Sequence, residues 1–117
     1  GIDRFVYALM QKKNFDISRI NPVIICLFDQ NNISEYIKIL NKLREANISS
    51  EIYPGNGNLK KQMEYANKIQ SPCVIFYGDN EIKNKEIKLK NLRTGEEIST
   101  NFENLINETK KIIWNNS

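Results

Sequence analysis

The fold of this chain is decided by residues 72–100, PCVIFYGDNEIKNKEIKLKNLRTGEEIST. An apolar run over residues 73–77 stops at Gly78 and is followed by a tight acidic turn. Charged and apolar residues then alternate over residues 86–92, which is the period-two pattern of a strand with one buried face. The turn RTGEE leads into a short strand over residues 97–100, close enough to form an antiparallel hairpin. This stretch therefore predicts one buried strand followed by a two-stranded hairpin.

Strands and helices alternate before this stretch. Residues 23–28 form a continuous apolar run with β-branched residues, which is typical of a buried strand, and residues 49–53 are predicted as a short strand that ends at PGNGN. Helices are predicted from an Asn32 N-cap to about residue 46, and over residues 59–70. The order β-α-β-α-β implies parallel strands joined by right-handed crossovers, with helices on both faces of the sheet.

Helical spacing also predicts which side chains point inward. A helix is predicted over residues 1–13, and another follows Thr100, which forms a capping-box pattern with Glu103. The apolar positions predicted to face the core in the two middle helices are Ile33, Ile37, Leu40 and Leu43, and Leu59, Met63 and Ala66.

Composition limits the chemistry of the chain. The 117 residues fit one domain, and no apolar run approaches the roughly 20 residues that a membrane-spanning helix needs. The sequence contains no histidine, and Cys26 and Cys73 lie inside apolar runs, so both cysteines are expected to be buried, reduced thiols. Neither a zinc site nor a catalytic centre is expected. The net charge of +3 permits nucleic-acid binding but does not by itself favour it.

Two loops offer candidate binding sites, each with a plain alternative. The stretch PGNGNLKK, residues 54–61, is either an ordinary turn or an anion site, because Lys60 and Lys61 lie at the helix end that disfavours cations. Asp29 and Asp79 follow the first and third strands, where a crevice in a parallel sheet binds small ligands.

The charged face of the hairpin also has two interpretations. Glu86, Lys88 and Lys90 can be solvated charges that protect an edge strand from unwanted pairing. Alternatively, Lys90 contacts the phosphates or base edges of a nucleic acid, and Glu81 accepts hydrogen bonds from the bases of an unstacked loop. Residue chemistry alone leaves both open.

Several short motifs, taken together, carry a family resemblance. They are Leu59-Lys60-Lys61-Gln62 with Ala66, then Gly78-x-x-Glu81, then Leu89-Lys90-Asn91-Leu92 with Thr94-Gly95-Glu96. In this order, over residues 59–97, they resemble the C-terminal anticodon-binding domain of histidyl-tRNA synthetases, which are class II aminoacyl-tRNA synthetases. GIDRFVYAL, residues 1–9, resembles the end of class II motif 3, whose arginine contacts ATP and is here Arg4.

The resemblance implies a fold and a binding site. The fold is α/β, a three-layer α/β/α arrangement around a five-stranded mixed sheet of order 2-1-3-4-5 with strand 4 antiparallel. Glu81 and Lys90 would contact anticodon bases, with Asn58 and Lys60 as further contacts. The partner would be the anticodon stem-loop of tRNA(His).

The resemblance also implies a larger parent enzyme. Residues 1–20 would be the end of the catalytic domain with its connector, and residues 21–117 the anticodon-binding domain. The parent would be a cytoplasmic, homodimeric histidine–tRNA ligase that uses ATP with Mg²⁺. The anticodon-binding domain itself would hold no cofactor or metal, and without motifs 1 and 2 these residues alone would not activate histidine. The alternatives are a synthetase-derived interaction or regulatory module without charging activity, and an unrelated small-ligand binder near Asp29 and Gly78.

Overall fold

The computed structural model describes residues 21–28, 30–55 and 58–115. The strands within them are β1 (Val23–Ile25), β2 (Ser50–Ile52), β3 (Cys73–Phe76), β4 (Ile87–Asn91) and β5 (Glu97–Thr100). The helices are α1 (Ile33–Glu45), α2 (Leu59–Lys68), α3 (Asp79–Asn84) and α4 (Leu105–Asn115), with a single 3₁₀ turn, Gln30–Asn32, before α1. The predicted helix over residues 1–13, with Arg4, lies outside the described residues. None of the helices that the structure describes is long and apolar enough to cross a membrane.

The five strands form one mixed sheet in the order β2-β1-β3-β4-β5. Strand β1 runs parallel to both β2 and β3, whereas β4 runs antiparallel to both β3 and β5. The predicted fold class, strand order and orientation of the fourth strand are therefore confirmed.

Two apolar clusters hold the helices on opposite faces of the sheet. On one face, which we call the α1/α4 face, Val23, Ile25, Ile75 and Leu89 pack with residues of α1 and α4. On the other, the α2 face, Ile24, Cys26 and Val74 pack against Ala66 of α2. Complete burial of one isoleucine stabilises the fold by about 1.5–3 kcal/mol, so the two clusters supply most of the driving force for folding.

The two cysteines belong to these clusters. Cys26 lies in the cluster of the α2 face and Cys73 in that of the α1/α4 face, and both are buried free thiols, as predicted. Burial raises the pKa of each thiol from its usual 9.0 to about 12. Both thiols are therefore protonated at neutral pH and are poor nucleophiles.

The buried stripe of α1 differs from the predicted one. Tyr36, Ile39 and Leu43 are buried, whereas Ile33 is 39% and Ile37 is 42% exposed. The prediction for Ile33 and Ile37 is wrong because α1 has apolar residues on more than one face, and spacing alone does not show which face meets the sheet. Asn32 occupies the N-cap position of α1, as predicted, but its side chain makes no cap hydrogen bond, and its amide instead donates to Asp79 Oδ1 at 2.8 Å.

A buried amide joins α2 to the end of β1. Gln62 is only 1% exposed, and its Oε1 accepts from the Leu27 amide at 2.8 Å. Its Nε2 donates to the Leu27 carbonyl, also at 2.8 Å. Leu59, predicted to point inward, is 44% exposed, because the helix turns Gln62 and Ala66 toward the sheet in its place.

The segment predicted as an acidic turn is the short helix α3. Its first turn carries Asp79 and Glu81, and acidic side chains there complement the positive end of the helix dipole. The carboxylate of Glu81 accepts from the Gly78 amide at 2.8 Å, which satisfies one of the amides that a helix start leaves unpaired. The helix ends at Asn84, and the C-cap residue Lys85 has a left-handed backbone with φ of 55°.

The hairpin connection and the start of α4 depend on asparagine side chains. Asn91 Oδ1 accepts from the amide of Arg93 at 2.9 Å, and Gly95 adopts a φ of 81° in the turn. The predicted capping box of Thr100 with Glu103 is wrong: α4 begins at Leu105, and the Asn101 side chain accepts from the Asn104 amide at 2.9 Å.

Candidate nucleic-acid interface

Among the residues that the structure describes, the β4 side of the α2 face carries lysines rather than a covering helix. Lys88 lies opposite Phe76 of β3, and Lys90 lies opposite Val74, so both lysines share a face with the cluster beneath α2. That cluster contains no residue of β4 or β5 among those the structure describes. Ile87 and Leu89 point to the opposite face and are buried there. The alternation predicted for this strand thus separates a buried α1/α4 side from a half-exposed basic side.

Strand β4 is an inner strand, because β3 and β5 flank it. The interpretation of Glu86, Lys88 and Lys90 as protection of an edge strand is therefore wrong. The edge strand on this side is β5, which is only four residues long. The lysines of β4 must be explained by what they meet on the α2 face.

Glu81 has one carboxylate oxygen tied to the backbone and the other facing a cation. Oε1 accepts from the Gly78 amide at 2.8 Å, and Oε2 lies 3.8 Å from Lys88 Nζ. The Glu81 side chain is 19% exposed and that of Lys88 is 37% exposed. A carboxylate has about four acceptor positions, so these two contacts leave acceptor capacity for a hydrogen-bond donor that approaches the α2 face.

Sequence reasoning missed the role of Lys88. We predicted Glu81 and Lys90 as the contact residues and Lys88 as ordinary solvated charge, but Lys88 is the lysine that the structure pairs with Glu81. Lys90 lies two residues further along the same face, opposite Glu97 of β5. The contact depends on the register of Phe76 with Lys88, which no local sequence signal indicates.

The two further predicted contact residues lie at the start of α2. Asn58 is exposed, and its Oδ1 caps the helix by accepting from the Lys61 amide at 3.0 Å. Lys60 is exposed in the first turn. Gln62 clamps this end of α2 beside Leu27, so Asn58 and Lys60 are held near the carboxyl end of β1. The anion site predicted for the loop before α2 includes residues 56 and 57, which lie outside the described residues.

The crevice predicted near Asp29 and Gly78 is only partly described. Asp29 lies outside the described residues. Gly78 is buried, and a Cβ added to it would meet Glu81 Oε1 at 3.0 Å and Phe28 Cδ2 at 3.5 Å. Asp79 is exposed and bonded to Asn32. The space beside Gly78 is therefore filled by Phe28 and Glu81.

A separate cleft of about 540 Å³ opens on the α1/α4 side. Its lining includes Lys38 and Lys85 as well as Glu35 and Glu103, so opposite charges are mixed along it. Burial, and then the nearby Glu35, raise the pKa of the Tyr77 hydroxyl that lines the cleft. The cleft contains none of the four described candidates, Asn58, Lys60, Glu81 and Lys90, and its mixed charge does not favour a polyanion.

The arrangement on the α2 face suits recognition rather than catalysis. It combines a carboxylate acceptor, Glu81, with the cations of Lys88 and Lys90. The described residues contain no group of three histidine, cysteine, aspartate or glutamate side chains that could hold a metal ion. The Glu81 carboxylate can accept from hydrogen-bond donors of a ligand, and the two lysines can bind phosphates.

Comparison with known proteins identifies the family. Residues 22–112 match the family model of the anticodon binding domain, which is most of the chain. The chain belongs to the anticodon-binding domain family. The histidine–tRNA ligase of Pelagibacter ubique is 45% identical over 118 residues, covering 97% of this chain and 25% of that protein. The histidine–tRNA ligase of Brucella ovis is 33% identical over 106 residues, covering 88% of this chain and 21% of the relative.

Solved structures agree with this assignment at the level of fold. The crystal structure of histidyl-tRNA synthetase from Nostoc sp. PCC 7120 matches with a TM-score of 0.75 at 20% identity, over 97% of this chain and 28% of that one. Apo histidyl-tRNA synthetase from S. aureus matches with a TM-score of 0.67 at 24% identity, over 92% of this chain and 28% of that one. The chain thus spans about a quarter of the length of these relatives, and the part it matches is the anticodon-binding part.

Proposed function

We propose that this chain is the anticodon-binding domain of a histidine–tRNA ligase and binds the anticodon stem-loop of tRNA(His) on its α2 face. The observation that carries the proposal is the Glu81 carboxylate, which accepts from the Gly78 amide on one oxygen and pairs with Lys88 of β4 on the other, while Lys90 lies two residues further along the same face. Such a group can accept hydrogen bonds from unstacked bases while cations approach the phosphates, which is how proteins recognise RNA loops. The 45% identity to a histidine–tRNA ligase supports tRNA as the ligand.

Each candidate residue has a distinct role in this proposal. Glu81 accepts from a base edge through Oε2, and Lys90 donates to a base or a phosphate. Lys88 orients the Glu81 carboxylate through their ion pair at 3.8 Å. Asn58 and Lys60 contact the loop from the start of α2.

The remaining parts of the proposal concern the parent protein. We propose a cytoplasmic, homodimeric enzyme that uses ATP with Mg²⁺ in a catalytic domain, while residues 21–117 bind RNA without a cofactor. Residues 1–20 would belong to the end of that catalytic domain, with Arg4 as its ATP contact. The boundary at residues 20 and 21 stays a prediction.

The test measures affinity for an anticodon stem-loop bearing the histidine anticodon against the same stem with a scrambled loop, at one fixed salt concentration. Glu81→Gln keeps an oxygen that can accept from the Gly78 amide, but it replaces the second acceptor with an NH₂ donor. We expect a loss of about 1–3 kcal/mol for the histidine loop, because a buried donor of the base is left unmatched. The scrambled loop should be affected little.

Lys90→Met tests the cationic contact. It should weaken binding and, if Lys90 meets a phosphate, lower the slope of log K against log salt by about 0.7. Lys111→Met is the matched control, because Lys111 is an exposed lysine of α4, on the other side of the sheet, and pairs with Glu108 in an exposed ion pair. Equal affinity of the native chain for the two loops would contradict the proposed function. Unchanged binding by both Glu81→Gln and Lys90→Met would contradict the assignment of the site.

A further inference from the structure

An exposed aromatic ring lies next to the carboxylate of the proposed RNA site. Phe28 is 46% exposed just beyond the end of β1. The residue before it, Leu27, is held at both its backbone amide and its carbonyl by Gln62. The Phe28 amide itself donates to the Tyr36 hydroxyl at 3.4 Å. The ring is therefore presented to solvent from a backbone that is fixed on both sides of the sheet.

The neighbours of Phe28 belong to the candidate site. The Phe28 and Phe76 ring centroids are 6.3 Å apart with the rings tilted by 32°. Phe76 lies directly opposite Lys88 in the sheet. A Cβ on Gly78 would meet Phe28 Cδ2 at 3.5 Å and Glu81 Oε1 at 3.0 Å, so the ring and the carboxylate flank the same glycine.

These groups together supply what an unpaired base of RNA requires. An aromatic face stacks on a base, a carboxylate accepts from the amino or imino groups of the base edge, and nearby lysines neutralise the phosphates. A partner protein with an apolar surface could pack on Phe28 and Phe76. It would, however, bury the charges of Glu81 and Lys88 against apolar groups, which costs free energy. The mixture of ring, acceptor and cations favours a nucleobase over a protein segment as the occupant.

We propose that Phe28 is the stacking platform for one unstacked base of the bound RNA loop, and that the edge of this base reaches Glu81. This inference rests on the proposed function and adds a specific contact to it. Phe76 supports the platform from below, and Gly78 allows the close approach because it has no side chain.

The experiment combines substitutions in the protein with abasic positions in the RNA. Phe28→Leu removes the aromatic face and keeps an apolar side chain, whereas Phe28→Trp keeps a stacking surface. Each variant is titrated with the histidine anticodon stem-loop and with a series in which one loop base at a time is replaced by an abasic residue. Phe102→Leu is the matched control, because Phe102 is 44% exposed but lies under the Lys42 ammonium, 4.2 Å from its ring centroid, and lines the cleft on the α1/α4 side.

We expect Phe28→Leu to weaken binding of the intact loop by about 5- to 150-fold, the range measured for loss of one base–aromatic stack. In one abasic RNA the same substitution should have no further effect, because the stacked base is already missing. Phe28→Trp and Phe102→Leu should bind as the native chain does. Thermal unfolding of each variant shows whether the fold is kept.

The outcomes separate the two proposals. A native chain that prefers the histidine loop, with Phe28→Leu unchanged, overturns the stacking platform and leaves the proposed function standing. A uniform loss across all abasic RNAs overturns it too, since that result indicates a structural effect instead of one stacked base. A native chain that does not distinguish the histidine loop from a scrambled one overturns the proposed function and the platform with it.

Discussion

Replacing Gln62 with methionine should lower the free energy of unfolding of the domain considerably, although only one side chain is exchanged. Methionine matches glutamine closely in length and helix propensity, so the change removes the polar amide and little else. Gln62 is 1% exposed, and both ends of its amide bond to Leu27 at 2.8 Å. The substitution leaves the amide and the carbonyl of Leu27 without these partners.

The magnitude follows from these two groups. A buried donor or acceptor left unsatisfied costs about 1–3 kcal/mol. Leu27 is only half-buried, so water can reach part of its backbone and the lower half of that range applies. The two groups together give a loss of about 2–4 kcal/mol. A domain of this size shifts its melting temperature by about 4 °C per kcal/mol, so we expect a decrease of about 8–16 °C.

Urea unfolding followed by circular dichroism measures this loss directly. Asn67→Met is the matched control, because it makes the same kind of amide-to-thioether change at an exposed position of α2. The control should lie within about 0.5 kcal/mol of the native chain. A Gln62→Met variant as stable as the control would refute the conclusion that this clamp holds α2 on β1.

Three further outcomes follow from other parts of the structure. Cys26 and Cys73 should resist a thiol reagent at pH 8 in the folded chain and react fully in denaturant. Because burial raises the pKa of both folded thiols from 9.0 to about 12, the free energy of unfolding should be unaffected below pH 9 and should fall as the pH rises from 9 toward 12. Rapid labelling of the folded chain would contradict this burial. Gly78→Ala should leave stability within about 1 kcal/mol, because its backbone suits alanine, yet weaken RNA binding, because the new Cβ would stand 3.0 Å from Glu81 Oε1; unchanged RNA affinity would contradict that steric argument. Gly95→Ala should cost about 1 kcal/mol in unfolding experiments through its φ of 81°, since no atom of the described residues lies within 4 Å of the added Cβ, and Gly95→Asn should recover part of that loss.

The sheet could be predicted from the sequence because its signals are local. The continuous apolar run at β3, the alternation at β4 and the turn between β4 and β5 each lie within ten residues. The order β-α-β-α-β then admits few topologies, because crossovers between parallel strands are right-handed. The family resemblance supplied the remaining strand order.

The contacts within the site could not be predicted in the same way. Gln62 forms hydrogen bonds with Leu27, 35 residues earlier in the chain, and Phe28 lies beside Gly78, which is 50 residues later. Neither pair has a sequence pattern of its own, because both are created by the register of neighbouring strands. One local signal was available and was passed over: Gly78-x-x-Glu81 is the spacing with which a glutamate caps the start of a helix. That spacing would have predicted α3 in place of a turn.

The change of strand direction within the sheet explains why no helix of residues 21–115, as far as the structure describes them, covers the β4 side of the α2 face. Parallel strands need crossover connections, and α1 and α2 are those connections for β2, β1 and β3, one on each face. Strands β4 and β5 are joined by a tight turn, which supplies no helix to cover them. The last helix, α4, packs on the α1/α4 face, where Leu105, Ile112 and Ile113 join the larger cluster. Within the described part of the chain, the topology therefore provides no helix over the α2 face of β4, and Lys88 and Lys90 stay half-exposed there. Because β3 borders this region and β1 ends beside it, Glu81 and Phe28 lie at the same margin, so one ligand can contact both.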